Sequence, residues 1–144
     1  MESYHIGCGA LIYSIKTKRY LFLLRNQKRH AGSWGLVGGG VEPGETPIQA
    51  LDRELIEEIE LESYNQIVPL EKFTSDQGNF EYHTYLITVD QEFTPELNDE
   101  HRGYAWTYIA DHPKPLHPGV WRTFNFEAVI NKIKTFEQAL EIAF

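Results

Sequence analysis

The chain has 144 residues, of which 42% are apolar and 13% aromatic, and a formal net charge of −8. Such a length suits one domain over residues 1–144, burying roughly 70% of its unfolded surface, and this composition excludes a disordered chain. The negative field opposes polyanions, so nucleic acid is not expected as a partner, and the single cysteine, Cys8, excludes an internal disulfide or a multi-Cys metal site.

In chain order, residues 6–15 (IGCGALIYSI) and 20–24 (YLFLL) read as apolar strands, joined by the polar turn 16–19 into a hairpin. A basic stretch runs to His30, and a glycine-rich segment, GSWGLVGGGVEPGE, fills 32–45. That glycine density suits a backbone that bends sharply or passes close to a ligand. Next, Thr46 is a good N-cap, Pro47 suits the first helical position and Gln49 completes a capping box. Ile48, Leu51, Leu55 and Ile59 then recur as an apolar helical stripe. Residues 66–73 read as an edge strand, because Pro69 cannot donate to a ladder. Further strands are expected at 80–89 and 103–109, an irregular proline-rich stretch at 113–118, and a final helix over roughly 120–141 with Phe126, Val129, Ile130, Ile133 and Phe136 at helical spacing. Strands with two separated helices predict an α/β fold: a mixed sheet with a helix on each side.

The chemistry concentrates in the helix after Thr46. Glu54, Glu57 and Glu58 stand at i, i+3 and i+4, within about a 100° arc of one helical face. A solvated acidic face is the bland reading. Carboxylates crowded beside an apolar stripe also make sense where a hard divalent cation neutralises them, and Mg²⁺ and Mn²⁺ take oxygen ligands of this kind.

The spacing is more specific. Gly39, five residues, Glu45, seven residues and then Arg53-Glu54-Leu55-Ile56-Glu57-Glu58-Ile59-Glu60-Leu61 resembles the Nudix box, G-x5-E-x7-R-E-U-x-E-E-x-G-U, where U is a bulky apolar residue. Every fixed position matches except Glu60, which stands where the family has glycine. The resemblance implies a Nudix α/β/α sandwich that hydrolyses a diphosphate linkage in a nucleoside diphosphate-linked substrate, with Mg²⁺ or Mn²⁺ and an activated water. It gives Glu54, Glu57 and Glu58 the role of metal ligands, Gly38 that of a backbone-carbonyl ligand, Arg53 that of orienting the glutamates and Glu45 that of a buttress. At Glu60 it predicts either a strained left-handed cap or a helix that continues to Glu62.

Outside the box, Glu100 in the acidic loop 98–101 is a candidate general base or further metal ligand, a polar turn being the other reading; His101 is a weaker candidate base. Of the cluster Arg25, Lys28 and Arg29, Arg25 at a strand end is the expected phosphate contact, and Lys28 and Arg29 read as solvated. Gly39 and Tyr82 are further candidate substrate contacts. Tyr82 and His83 must face opposite sides of their strand, so only one of them lines a pocket. Phe80 and Tyr85 could also stack a base, although packing is the commoner role. Trp34 and Trp106 read as packing residues, and the segment 115–119 as a rigid connector rather than a lid with His117 on substrate.

The expected partner is a small-molecule nucleotide, with a homodimer left open. No apolar run reaches membrane-spanning length and the N-terminus lacks signal-peptide regions, so the cytoplasm is the expected compartment. Triphosphates, nucleotide sugars, ADP-ribose and dinucleoside polyphosphates all remain open as substrates. A catalytically silent Nudix domain acting as a nucleotide sensor is the alternative; it is disfavoured because all three box glutamates are present.

Overall fold

The computed structural model describes residues 4–143. Seven strands and three helices follow one another as β1 (His5–Ser14), β2 (Tyr20–Arg25), β3 (Trp34–Gly35), β4 (Val37–Gly40), α1 (Pro47–Ile59), β5 (Gln66–Thr74), β6 (Phe80–Val89), β7 (His101–Thr107), α2 (Pro118–Phe124) and α3 (Glu127–Ala143). The sheet is mixed. Along one edge, β1 runs parallel to β6, from His5 opposite Phe80 to Ser14 opposite Val89. Its other edge is shared: β4 pairs antiparallel with Gly7–Ala10, and β2 pairs antiparallel with Ile12 and Tyr13. Beyond β2 lie β3 and β7, and beyond β6 lies β5, so the sheet forks along β1.

The two-residue period of the strands sorts side chains between two cores. Cys8, Ala10 and Ile12 of β1 and Tyr85, Ile87 and Val89 of β6 pack under Ala50, Leu51, Leu55 and Ile59 of α1. Leu11 and Tyr13 of β1 and Leu86 of β6 face the opposite way, toward Val129, Ile133 and Leu140 of α3. The arrangement is an α/β/α sandwich, as expected. A fully buried side chain of this size contributes about 1.5–3 kcal/mol, so the two cores together hold the helices to the sheet.

Helix α1 begins as its sequence dictates. The Thr46 hydroxyl accepts from the Gln49 amide at 3.1 Å, and the Gln49 side chain accepts from the Thr46 amide at 2.9 Å. It ends on Glu60, which adopts φ 54 and ψ 36, the left-handed region, and donates its amide to the Ile56 carbonyl. Leu61 donates back to Leu55 at 3.1 Å. Of the two predicted endings, the strained cap is found and the extended helix is not.

Several expectations need correction. Ile48 is 40% exposed and leaves the apolar stripe, while Ala50 is fully buried, so the buried arc of α1 is centred away from Ile48. The strand expected at 103–109 lies at His101–Thr107, and Ile109–Asp111 forms a 3₁₀ turn. One final helix becomes two, broken at Asn125–Phe126, where the Asn125 side chain donates to the Trp121 carbonyl and closes α2. Phe126 consequently stays 48% exposed rather than joining the apolar face of α3. The glycine-rich segment holds two short strands, the second of which zips along β1. The strand at Gln66–Thr74 is an edge, with a register shift between Pro69 and Glu71. Trp106 is core, and Trp34 is half-buried against the α3-side core. The connector before α2 is fixed to β3: Trp34 donates to the Pro115 carbonyl and accepts from the His117 amide.

Candidate functional site

Helix α1 presents its glutamates toward β4, where Gly39 leaves room for Glu54 and Gly38 lets β4 close against β1. A side chain on Gly39 would put a Cβ 2.5 Å from Glu54 Oε1, and one on Gly38 would sit 2.1 Å from the Cys8 carbonyl oxygen. The Gly38 amide donates to Glu58 Oε2 at 3.0 Å. Glu54 and Glu58 are therefore buried, 8% and 1% exposed, whereas Glu57 points to the rim with its side chain 54% exposed.

Arg53 holds this end together. Its Nε and Nη2 donate to the two carboxylate oxygens of Glu45 at 2.9 and 3.0 Å, and Nη1 reaches Glu54 Oε1 at 2.8 Å and Glu57 Oε2 at 3.4 Å. Nη2 also donates to the Gly40 carbonyl at 2.9 Å. These hydrogen bonds, with one from the Glu42 amide, hold the Glu45 carboxyl down at about 2. A forked guanidinium suits a task of this kind, since it can serve several carboxylates at fixed angles.

Arg53 does not reach Glu58. Burial, the adjacent Glu54 carboxylate and the charge of Glu100 push the Glu58 carboxyl well above the usual carboxylate range. Glu100 arrives on the turn before β7. Asn98 fixes that turn, donating its side-chain amide to the Glu57 carbonyl at 3.1 Å and accepting from the Glu100 amide at 3.0 Å. Behind Glu100, His101 is 6% exposed, with its Nδ1 3.5 Å from Glu58 Oε1. Burial, then the Arg25 charge, lowers its pKa to about 4. One ligand atom each from Glu58, Glu100 and His101 lies within 4.8 Å of the others. This carboxylate-rich donor set, with buried negative charge that Arg53 only partly neutralises, fits a divalent cation.

The acidic cluster opens into a cleft of about 520 Å³. Glu54, Glu100, Gly38 and Gly39 form one end. Arg25 lines it beside them, its Nη2 donating to Gln27 Oε1 at 2.6 Å and to the Arg29 carbonyl at 3.3 Å, with no carboxylate partner among the described residues. Lys28 and Arg29 are exposed and do not line the cleft. Another wall is aromatic. Tyr82 lies over Gly7 and Gly9, where an added Cβ would meet its ring at 2.7 Å and its hydroxyl at 2.4 Å. Phe80 follows at 6.2 Å from Tyr82, and Phe73 at 6.3 Å from Phe80. His83 faces away and packs against Tyr85, which is core.

Of the sequence candidates, Gly38, Gly39, Glu54, Glu100, Arg25 and Tyr82 line the cleft. Glu58 and Arg53 stand behind it, and Glu57 lies outside its wall. His117 also lines it, and its ring packs edge-on against His30 at 4.8 Å. Sequence reasoning missed Gln27, Phe73 and Arg122. Arg122 of α2 makes a paired contact with Glu71 at 3.1 and 3.2 Å and covers the Phe73 ring at 4.0 Å. Nothing local marks this pair, since Glu71 and Arg122 belong to elements 51 residues apart.

Comparison with known proteins agrees with this geometry. Residues 3–126 match the family model of the NUDIX domain. The nucleoside triphosphatase NudI of Escherichia coli is 38% identical over an alignment covering 56% of this chain and 64% of the relative, so the match spans under two thirds of that protein's length. A MutT NUDIX hydrolase from Burkholderia pseudomallei superposes with a TM-score of 0.67 at 25% identity, covering 89% of this chain and 97% of that one. An Ap4A hydrolase from C. elegans gives the same TM-score at 19% identity over 92% and 98%, a likeness of fold. With the box, the sandwich and the family match in agreement, the chain belongs to the NUDIX domain family.

Proposed function

We propose that the protein hydrolyses a diphosphate linkage in a nucleoside diphosphate-linked substrate, using Mg²⁺ or Mn²⁺ held by Glu54, Glu57, Glu58 and the Gly38 carbonyl. The observation that carries this reading is the burial of Glu54, at the end of a cleft that also holds Arg25, against Glu58 just behind the wall. Two buried carboxylates in contact are costly unless a cation shares them.

When bound, the divalent ion neutralises diphosphate oxygens and lowers the pKa of water. The protein's own residues do the rest. Arg53 fixes Glu54 against the Gly39 backbone and holds Glu57 at the rim. Glu100, brought in by Asn98, serves as general base or as a further ligand. Arg25 takes a phosphate oxygen at the cleft wall, where its guanidinium has no competing carboxylate. Gly39 admits the substrate close to the backbone, and Tyr82 with Phe80 offers a surface for the nucleoside.

Nucleoside triphosphates are the first substrates to try, because the Escherichia coli relative is a nucleoside triphosphatase and a cleft of about 520 Å³ suits one nucleotide. The test is a panel of nucleoside triphosphates, nucleotide sugars, ADP-ribose and dinucleoside polyphosphates with Mg²⁺ or Mn²⁺, with products identified by mass spectrometry. The expected result is cleavage within the diphosphate of at least one class, stopped by EDTA. Binding across the panel without turnover would instead favour a catalytically silent nucleotide sensor. Light scattering of the purified protein reads whether it forms a homodimer.

Among the described residues no helix is long and apolar enough to cross a membrane; a cytoplasmic location is proposed on the single cysteine.

A further inference from the structure

We propose that His101 supplies a nitrogen ligand to the metal position beside Glu58, making it a mixed nitrogen and oxygen site that prefers Mn²⁺ to Mg²⁺. The inference rests on the metal-dependent reading above and adds a residue that lies outside the box.

His101 is 6% exposed, and its Nδ1 has no hydrogen-bond partner among the described residues. An orphaned polar atom at such depth is uncommon, because leaving it unpaired costs about 1–3 kcal/mol. The nitrogen is not pointed at an apolar wall. It faces Glu58 Oε1 at 3.5 Å, and both belong to the group completed by Glu100. That separation is too long for a good hydrogen bond. A separation of this size is compatible with two ligands of one ion.

A role as general base fits less well. The His101 side chain is 4% exposed and does not line the cleft, whereas Glu100 does. Nδ1 looks inward, to the carboxylate behind the wall. Ligation there needs the neutral ring, which burial favours, with its proton on Nε2. A nitrogen ligand is tolerated by a first-row transition ion such as Mn²⁺ better than by Mg²⁺, which prefers oxygen and sheds water reluctantly.

The test uses the full chain labelled with ¹⁵N-histidine, loaded with Mn²⁺ and measured by pulsed electron paramagnetic resonance. A ¹⁵N coupling of directly bonded strength is expected in the wild type and absent from His101→Asn. Loss of the imidazole should weaken Mn²⁺ binding about tenfold or more while changing Mg²⁺ binding far less. Because the labelled wild type answers the first question by itself, an unfolded variant does not rescue the idea; His117→Asn, expected to keep the coupling, then serves to assign it. Mn²⁺ that binds, and is loosened by Glu57→Gln, but shows no histidine coupling overturns the ligand and leaves the hydrolase reading standing. A coupling that survives in folded His101→Asn, or disappears in His117→Asn, also overturns it. No Mn²⁺ binding at all overturns both.

Discussion

The two ends of the cleft are built by opposite means. At the acidic end, five side chains of one short segment, Glu45 to Glu58, interlock through Arg53 and two glycines of the adjoining strand. At the aromatic end, Phe73, Phe80, Tyr82 and Arg122 come from β5, β6 and α2 and meet only in the folded chain. The first end is rigid, charged and partly buried against its own repulsion. The second is apolar and more open, with Phe80 38% exposed. The difference suggests that the acidic end determines which bond is broken and the aromatic end determines which group is held.

Substitutions can break or sharpen that contrast. The largest effect is expected from Glu58→Gln, which removes a proposed buried ligand. Turnover should fall at least about 100-fold, yet the metal-free protein should melt no lower than the wild type, because a neutral amide is cheaper to bury than a second carboxylate. Steady-state kinetics and thermal denaturation read the two halves of this expectation. A large drop in melting temperature would mean that the site is built for stability.

Asn98→Ala should cost roughly 10- to 100-fold in kcat, because it unclips the turn that carries Glu100, and small misplacements of catalytic groups have effects of this size. Its KM should move little. If kcat holds, Glu100 is not a working residue. Phe80→Ala, at the other end, should raise KM about two- to tenfold, the worth of one aromatic contact, with kcat nearly unchanged. A kcat effect as large as that of Asn98→Ala would erase the proposed division between the two ends. Smallest of all, Glu60→Gly should stabilise the protein by about 1 kcal/mol, since glycine adopts the left-handed cap without strain. Its kinetics should match the wild type, and chemical denaturation gives the stability difference.

The same contrast explains what the sequence could reveal. A helix face recurs every three or four residues, so Glu54, Glu57 and Glu58 announce themselves locally, as does the capping box at Thr46. Their inequality was not legible. Glu58 is sealed and Glu57 open because of how β4 and the turn at Asn98 pack on α1, a long-range fact. The sheet's two-sided alternation placed Tyr82 opposite His83, and the structure keeps them apart. Phe73 and Arg122 gave no signal, because β5 and α2 are far apart in the chain and meet only in the fold. The break between α2 and α3 was also missed: apolar residues kept helical spacing across Asn125 and Phe126, and only the closure of α2 by the Asn125 side chain interrupts it. Ile48 shows the reverse error, a residue in phase with the stripe that the fold leaves exposed.

The central claim is that the glutamate face of α1 holds the catalytic divalent ion, and Mn²⁺ binding tests it without any choice of substrate. Titrating Mn²⁺ into wild type and Glu57→Gln, followed by the loss of the free-ion paramagnetic resonance signal, should show the variant binding at least about tenfold more weakly. Glu57 is exposed and its replacement leaves the core untouched, so folding is not in question. Equal affinity in the two proteins would contradict the account.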